Sequence, residues 1–368
     1  MIRKAIRRLR RGESDTDSVN PSIVETATQD TPTKKDLPNS PKPVTRFGPQ
    51  MPSIPLPKSS SEARPRISFV VIIYKMRDQA KNTLRSLHAD YQLDVDEEDY
   101  EVLVVENTSS ELLGEQAATE IAGNIRYFLR EEATKTPVHA INFGAAQARG
   151  DYVAVIIDGA RMVSPGLVNY MLAATQLAKD VVIAVPGYHL GEKVQQEAML
   201  EGYNHETERQ LLASINWPED GYRLFEISCL SGTSSGGVFK PIGESNCVCV
   251  SKQTYDALGG YDEGFTETGG GQVNLDFYKR AVELPETLLI TLLGEGCFHQ
   301  FHGGITTGTK GKERQAAMEA HFAQYRALRG GPYEPPEKRS IYLGAVPDAA
   351  LKFIRSGANN VITVNCLD

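Results

Sequence analysis

The most informative stretch of this sequence reads Gly150-Asp-Tyr-Val-Ala-Val-Ile-Ile-Asp158-Gly-Ala-Arg161. Residues Tyr152 to Ile157 are aromatic, β-branched or small, and the apolar run stops at an acid followed by glycine. A run of this length and composition is typical of a strand that is buried on both faces of a parallel sheet. Asp158 is therefore expected at the carboxyl end of a strand, where open α/β sheets bind their ligands.

A carboxylate at that position has two interpretations. Hard divalent cations favour oxygen ligands, so Asp158 is a candidate ligand for a metal ion that bridges a diphosphate. Arg161, three residues further on, is a candidate for compensating phosphate charge, because a guanidinium group pairs well with phosphate. The alternative is that Asp158 only opens a turn or caps a helix predicted from Pro165 onward.

Strands and helices alternate on both sides of this stretch. Helical patterns begin at Arg77 and surround Ala140. The apolar runs predicted as further strands are Ile67–Tyr74, Tyr100–Glu106, Asn124–Leu129 and Val181–Val185. This alternation predicts an α/β fold with a mainly parallel sheet flanked by helices and joined by right-handed crossovers.

Composition excludes several classes of protein. The formal net charge of the 368 residues is −8, which argues against a nucleic-acid-binding protein, since such proteins present a basic face. The five cysteines are odd in number and form no C-x-x-C pair, which suits a reducing compartment. No apolar run approaches the roughly 20 residues needed to cross a bilayer, and no signal-peptide pattern is present. We expect a cytoplasmic protein.

The N-terminal part differs in composition from the rest. Residues 1–12 place apolar side chains at helical spacing and six Lys or Arg residues on the other faces, which predicts a basic amphipathic helix. Such a helix either lies peripherally on the anionic inner face of the membrane or is a solvated basic tail. Residues 13–66 are rich in Ser, Thr, Pro, Asp and Lys, and we predict a disordered linker.

Two histidines stand in the stretch Gly294-Glu-Gly-Cys-Phe-His299-Gln-Phe-His302-Gly-Gly304, which follows an apolar run. Imidazoles among glycines at a strand end are candidate metal ligands. In an extended chain His299 and His302 point to opposite sides, so only one of them needs to face a metal. We take His302 as the first choice and His299 as the second, with a purely structural role as the alternative for each.

Several segments together resemble the GT-A glycosyltransferases of family 2. They are Ile67–Tyr74, Val104-Val-Glu-Asn-Thr-Ser109, Asn142-Phe-Gly144 ahead of Ala148-Arg-Gly-Asp-Tyr152, the strand that ends at Asp158, and Gly259-Gly-Tyr-Asp-Glu-Gly-Phe265. The resemblance implies a GT-A domain, which we place at residues 67–308. Residues 309–368 read as a C-terminal helical extension.

The resemblance also implies the ligands and some of the residues that bind them. It implies a nucleotide-sugar donor, with Glu106 at the base or ribose and Asp158 at the diphosphate and at Mn2+ or Mg2+. Tyr74, Asn142 and Arg161 are expected at the same donor site, and a late histidine completes the metal site. Independently of the resemblance, an acid at a strand end accepts hydrogen bonds from ribose hydroxyls in dinucleotide folds, which suits Glu106. The alternative is that Glu106 is a turn-forming acid without a ligand.

Two positions depart from the family pattern. The second acid of the metal motif, two residues after Asp158, is Ala160 here, and the position of the general base is Asn274. Asp276 is our first candidate for the base. Its alternative role is in the first turn of a helix capped by Asn274, where an acid stabilises the helix dipole. Two further candidates for the base are Asp262 and Glu263.

The resemblance implies an enzyme that moves a sugar from a nucleotide donor to a hydroxyl of a glycan or lipid-linked acceptor, in surface polysaccharide or glycoconjugate synthesis. The first alternative is a degenerate GT-A domain that binds a sugar nucleotide or glycan without turnover, which Ala160 and Asn274 keep open. A nucleotidyltransferase is the second alternative. It would need a glycine-rich phosphate loop after the first strand, and Tyr74-Lys-Met-Arg77 has no glycine.

Overall fold

Twelve strands in the described part of the chain form two sheets. In chain order they are β1 (Ile67–Ile73), β2 (Tyr100–Asn107), β3 (Ile125–Arg130), β4 (Tyr152–Ile156), β5 (Arg161–Val163), β6 (Val181–Ala184), β7 (Gly187–Leu190), β8 (Ser228–Leu230), β9 (Cys247–Ser251), β10 (Leu288–Leu292), β11 (Cys297–His299) and β12 (Ile341–Leu343). This computed structural model describes residues 51–56, 65–131, 135–304 and 311–365. The predicted helix 1–12 and most of the predicted linker 13–66 lie outside these residues.

The α-helices lie between and after these strands. They are α1 (Arg77–Ser86), α2 (Glu115–Thr119), α3 (Val138–Ala146), α4 (Leu167–Ala174), α5 (Gln195–Ala198), α6 (His205–Ser214), α7 (Lys252–Ala257), α8 (Val273–Glu283), α9 (Gly311–Arg329) and α10 (Leu351–Asn365). None of the described helices is long and apolar enough to cross a bilayer.

The larger sheet has eight strands in the order β12-β10-β6-β9-β4-β1-β2-β3. Every residue of β1 and β2 is buried, as expected for apolar runs covered on both faces. All neighbouring strands are parallel except β9, which is antiparallel to both β4 and β6. The predicted mainly parallel sheet flanked by helices is confirmed. The reversed direction of β9 was not predicted.

A smaller sheet of four strands, in the order β5-β11-β7-β8, follows the end of β4. The chain leaves the larger sheet after Ile156 and enters the smaller one at Arg161. Asp158 therefore lies in the short connection between the two sheets. β5 is antiparallel to β11, and β11 is parallel to β7.

Apolar side chains cover both faces of the larger sheet. Because side chains alternate along a strand, Phe69 and Val71 of β1 enter one core cluster, and Val70 and Ile72 enter the other. A third cluster, which includes Tyr188 and Phe298, packs on the smaller sheet. The first of these clusters also includes residues of β5 and β11, so the two sheets share a core next to the connection that carries Asp158.

Two predicted boundaries differ from the structure. The predicted linker includes residues 51–56, yet Ile54 packs on the core and the Tyr170 hydroxyl donates to the Pro52 carbonyl over 2.6 Å. The C-terminal region also contributes more than helices, because β12 pairs with β10 through Ile290 and Ile341. A three-residue strand with exposed side chains gives too little apolar pattern to be detected in a sequence.

Gly144 of α3 tests how closely the helix approaches the sheet. A Cβ atom added there would lie 2.5 Å from Cγ1 of Val70 and 3.0 Å from Cγ2 of Val105. We expect Gly144→Ala to lower the free energy of unfolding, because overpacking costs about 1–3 kcal/mol and exceeds the gain of about 1 kcal/mol from replacing a helical glycine. Urea denaturation would measure it.

The matched control for that measurement is Gly331→Ala, because no atom lies within 4 Å of a Cβ added at this glycine. A Gly144→Ala protein as stable as the control would contradict the packing of α3 described above.

Candidate active site

Asp158, His299 and His302 converge at the carboxyl edge of the larger sheet. Their possible ligand atoms all lie within 4.8 Å of one another. Asp158 follows β4, His299 is the last residue of β11, and His302 comes three residues later. The structure therefore brings together the acid and both of the histidines that were proposed as metal ligands from the sequence.

His299 and His302 lie on the same side, contrary to the expectation for an extended chain. Their Nε2 atoms are 3.0 Å apart. The two-residue alternation of a strand does not apply, because β11 ends at His299 and His302 belongs to the irregular segment that follows it.

The register of the smaller sheet explains why these groups meet. Antiparallel pairing of β5 with β11 places Arg161 opposite His299, and parallel pairing of β11 with β7 places His189 opposite His299. Directly opposite residues share a face of a sheet. Arg161, His299 and His189 therefore form a row behind Asp158. No sequence signal pointed to His189, because only the strand pairing brings it here.

The carboxylate in this cluster is ionised. Burial alone would raise the pKa of Asp158, but the positive charge of the Arg161 guanidinium beside it more than offsets that effect and holds the pKa below its usual value. Arg161 donates from Nε to the Asp158 carboxylate over 2.9 Å, and the Ala160 backbone N–H donates over 3.0 Å. The cluster thus offers one negatively charged oxygen ligand.

The three imidazoles are neutral. Burial lowers the pKa of His302 and places the pKa of His299 well below its ordinary value. Burial, reinforced by Arg161, lowers the pKa of His189 to about 4. A neutral imidazole has a lone pair available, which is the form that binds a metal.

The contact between His299 and His302 fits a shared cation. At most one of the two facing Nε2 atoms carries a proton, and the Nδ1 atom of His299 has no hydrogen-bond partner in the described part of the chain. A cation between the two nitrogens would satisfy both lone pairs. One carboxylate and two imidazoles form a donor set suited to a borderline divalent metal.

The missing second acid of the metal motif has a structural explanation. Ala160 is completely buried and belongs to the core cluster that contains Ile73 and Val163. Its side chain therefore packs in the core and does not line the cluster of possible ligands. The other two members of the cluster, His299 and His302, come from β11 and the segment that follows it.

Glu106 and Tyr74, two further residues predicted at the donor site, differ in their exposure to solvent. Glu106 is completely buried, and its carboxylate accepts hydrogen bonds from the backbone N–H groups of Leu113 (2.8 Å) and Gly114 (3.0 Å) and from the Tyr127 hydroxyl (2.6 Å). This geometry favours the turn-forming role for Glu106. Tyr74, by contrast, is 49 % exposed directly after β1.

Asn142 joins α3 to the Gly259–Phe265 segment. Its amide donates to the Tyr261 carbonyl over 2.8 Å, and its side-chain oxygen accepts from the Tyr261 backbone N–H over 2.9 Å and the Tyr255 hydroxyl over 2.8 Å. These bonds use both ends of the amide within the protein. Asn142 therefore anchors this segment to the helix, and its predicted contact with the donor has no support in this geometry.

Asp276 is not placed to act as a base. It is 1 % exposed, and its carboxylate accepts from Nε of Arg280 (2.7 Å) and from Nε (2.6 Å) and Nη2 (2.8 Å) of Arg329. The second candidate, Asp262, accepts from the same Arg329 over 2.6 Å. The third candidate, Glu263, is exposed and lies 3.4 Å from His139. Asp276 therefore joins α8 to α9 through Arg329, and its role in this geometry is structural.

Asn274 is not the cap of α8 either. The helix begins at Val273, with Gln272 in the capping position and no capping bond from its side chain. The Asn274 amide instead donates to the Glu244 carboxylate over 2.6 Å, and its side-chain oxygen accepts from the Tyr261 hydroxyl over 2.9 Å. Asn274 thus points toward the residues that precede β9.

Glu244 is the acid that the sequence did not reveal as a site residue. Burial raises the pKa of its carboxyl group, although the Asn274 amide and the Arg161 guanidinium act in the opposite direction. It comes three residues before β9. No signal in the sequence pointed to Glu244, because its position depends on the direction of β9: only an antiparallel strand begins at the carboxyl edge of its parallel neighbours.

The sheet order with one reversed strand, and the acid at the carboxyl edge beyond β4, define an α/β fold of the GT-A type. Residues 68–229 match the family model described as Glycosyl transferase family 2, and this segment of the chain is a family 2 glycosyltransferase domain. The match ends before Glu244 and the histidine pair. The interpretation of those residues therefore rests on the geometry.

Comparison with solved structures finds distant likenesses. S. aureus TarS 1–349 in complex with UDP-GlcNAc has a TM-score of 0.43 and 12 % identity, over 71 % of this chain and 66 % of that chain. The mannosyltransferase PcManGT from Pyrobaculum calidifontis, in complex with GDP-Man and Mn2+, has a TM-score of 0.42 and 17 % identity, over 84 % of this chain and 73 % of that chain. Another S. aureus TarS structure is covered over 40 % of its length. Comparison with curated proteins finds no match.

The contacts of Asp276 with Arg280 and Arg329 predict a loss of stability when the charge of Asp276 is removed. We expect Asp276→Asn to lower the free energy of unfolding by about 3 kcal/mol, the low end for breaking a buried pair. The low end applies because Arg280 and Arg329 keep side-chain exposures of 25 % and 27 %. Thermal and urea denaturation would measure the loss.

The control is Glu263→Gln, an exposed change that we expect to stay within about 0.5 kcal/mol. An Asp276→Asn protein with unchanged stability would show that the contacts with Arg280 and Arg329 contribute little.

Proposed function

We propose that this chain is a metal-dependent glycosyltransferase that moves a sugar from a nucleotide donor to an acceptor hydroxyl. The observation that carries the proposal is the convergence of Asp158, His299 and His302 at the carboxyl edge of a family 2 domain. Ligands bind at that edge in open α/β sheets. An ionised carboxylate and two neutral imidazoles at this position form a site for a divalent cation next to a diphosphate.

Asp158, His299 and His302 would hold Mn2+ or Mg2+, and the two nitrogen ligands favour Mn2+ of these two. The bound cation would neutralise the negative charge that develops on the leaving diphosphate. Arg161 adds a permanent positive charge beside Asp158. Its guanidinium group has five N–H donors, enough to contact the carboxylate and a phosphate oxygen together.

The nucleotide would extend from the diphosphate site toward the ends of β1 and β2. Tyr74 is exposed beyond β1, and its ring offers an apolar face for a base. Glu106 would act indirectly, because its bonds to Leu113 and Gly114 hold the loop that follows β2. In this proposal backbone groups of that loop, and not the Glu106 carboxylate, contact the nucleotide.

The acceptor in this proposal is a glycan or lipid-linked molecule of a surface polysaccharide or glycoconjugate pathway. The basic amphipathic pattern of residues 1–12 supports a peripheral contact with the inner face of the membrane, where a lipid-linked acceptor would be found. In this arrangement the enzyme works from the cytoplasmic side.

The second candidate function is a domain that binds a sugar nucleotide or glycan without turnover. Two observations favour it: Asn274 stands where the family base is expected, and Asp276 is held by two guanidinium groups. The transferase and a domain that binds a sugar nucleotide both predict nucleotide binding, whereas a domain that binds only a glycan does not. Only the transferase predicts that the donor is consumed.

The metal site is tested by nucleotide binding. We expect calorimetry to find that UDP or GDP binds in the presence of Mn2+ and that EDTA abolishes this binding. Asp158→Asn and His302→Ala should each weaken it by more than about 10-fold, a loss already seen for residues that merely support metal ligands. Thermal stability should change far less.

The matched control for His302→Ala is His88→Ala. His88 is also partly buried, but its ring accepts a hydrogen bond from the Asp90 backbone N–H over 2.9 Å and takes no part in the cluster. Nucleotide binding that ignores EDTA, or that survives both cluster variants, would rule out the proposed metal site.

A further inference from the structure

We propose that Glu244 is the base that accepts the proton of the acceptor hydroxyl and that Asn274 positions its carboxylate. This inference rests on the proposed transferase function. It assigns the base to a residue outside the segment that matches the family, and it gives the departure at Asn274 a chemical reason.

The direction of β9 brings Glu244 to the edge of the sheet where Asp158 lies. In the antiparallel pair β4–β9, Ile156 stands opposite Cys247, and the Ile157 backbone N–H donates to the Asn246 carbonyl over 3.4 Å. Continuing this register by two residues places the segment just before β9 beside the segment just after β4. Glu244 and Asp158 are therefore neighbours across the end of the ladder.

The electrostatic environment of Glu244 is consistent with this placement. The Arg161 guanidinium and the Asp158 carboxylate both act on its charge. Its side chain keeps partial exposure to solvent, in contrast to the buried Asp276. Of these two acids, Glu244 is the one that a bound acceptor can reach without displacing Arg280 and Arg329 from a buried carboxylate.

The backbone on which Glu244 sits is fixed from two sides. The Gly243 N–H donates to the Thr233 carbonyl over 2.9 Å, and the Tyr333 hydroxyl donates to the Gly243 carbonyl. These bonds join it to the glycine-serine loop Ser231–Gly237 and to the C-terminal region. A fixed backbone holds a catalytic side chain in one geometry without a further entropy cost during the reaction.

Asn274 and Glu244 form a complementary pair. The Asn274 amide donates to Glu244 Oε1 over 2.6 Å, and it lies 3.2 Å from the Ser245 carbonyl and 3.3 Å from Asn246 Oδ1. An aspartate at position 274 would have no proton to donate at neutral pH, and it would repel Glu244 at this distance. The Asn274 amide group, unlike a carboxylate, is therefore compatible with an ionised Glu244 at this distance.

The proposed step can be written in full. The Glu244 carboxylate takes the proton of the acceptor hydroxyl, whose oxygen forms a bond to the anomeric carbon of the donor sugar. The bond from that carbon to the diphosphate oxygen breaks, and the diphosphate leaves with the electron pair.

Other buried acids of the described chain already have structural partners. Glu295 accepts from the Ser164 hydroxyl over 2.5 Å and the Tyr222 hydroxyl over 2.8 Å. Glu208 accepts from the Phe301 backbone N–H over 2.7 Å and thereby holds the segment next to His302. Neither contacts Asn274, so neither accounts for the amide at that position.

The test is the turnover of Glu244→Gln on a panel of UDP- and GDP-sugars with Mn2+, followed by chromatography of the released nucleotide with water or an added sugar as the acceptor. We expect kcat to fall by about 100-fold or more, the size of a lost general base. The Kd of UDP or GDP with Mn2+ should change by less than about threefold. Glu244→Asp, which keeps a carboxylate, should retain more turnover than Glu244→Gln.

An exchange variant separates a base from a structural residue. Glu244→Gln combined with Asn274→Asp moves the carboxylate to position 274 and restores one amide and one acid. Its kcat should be at least about tenfold higher than that of Glu244→Gln alone. Asn274→Asp alone, which places two acids together, should lower both turnover and thermal stability.

The inference is overturned if Glu244→Gln keeps wild-type turnover, if it loses nucleotide binding together with turnover, or if the exchange variant recovers nothing. Wild-type protein that binds UDP or GDP and consumes no donor would overturn the transferase function as well. Turnover that survives in Glu244→Gln would overturn only the base.

Discussion

The antiparallel pairing of β5 with β11 is the contact on which the candidate site depends. It sets Arg161 opposite His299 directly after the chain has passed Asp158, so one short connection joins the edge of the larger sheet to the histidine strand. A shift of this register by one residue would turn the side chains to the opposite face of the smaller sheet. The apolar cores on both sheets hold that register, and in this way packing far from the cluster controls its geometry.

Burial and charge act together within this cluster. Low exposure keeps the imidazoles of His299 and His302 neutral, while Arg161 keeps Asp158 ionised in the same environment. The result is a set of ligands for a cation with a permanent positive charge at its side. A diphosphate brings the opposite charge, and the attraction between unlike charges is stronger in a partly buried site than in bulk water. Binding of the nucleotide and of the cation should support each other.

The sequence predicted the mainly parallel sheet and the meeting of Asp158 with the histidines, because both follow from apolar runs that end in polar residues. It did not predict the direction of β9, since a short apolar strand reads the same in either direction, and Glu244 was missed for that reason. Asp276 appeared available because its partner Arg329 is 53 residues away in the chain. Ala160 and Asn274 appeared to be losses, yet one packs in the core and the other donates a hydrogen bond to Glu244.

The central claim is that Asp158, His299 and His302 hold one divalent cation against the diphosphate of a nucleotide. A crystal structure of the protein grown with UDP or GDP and Mn2+, with anomalous diffraction recorded at the manganese edge, tests it most directly. We expect one anomalous peak within about 2.0–2.6 Å of the Asp158 carboxylate and both imidazoles, and at the same distance from phosphate oxygens. A nucleotide bound at this edge with no peak there, or a peak coordinated by other residues, would contradict the claim.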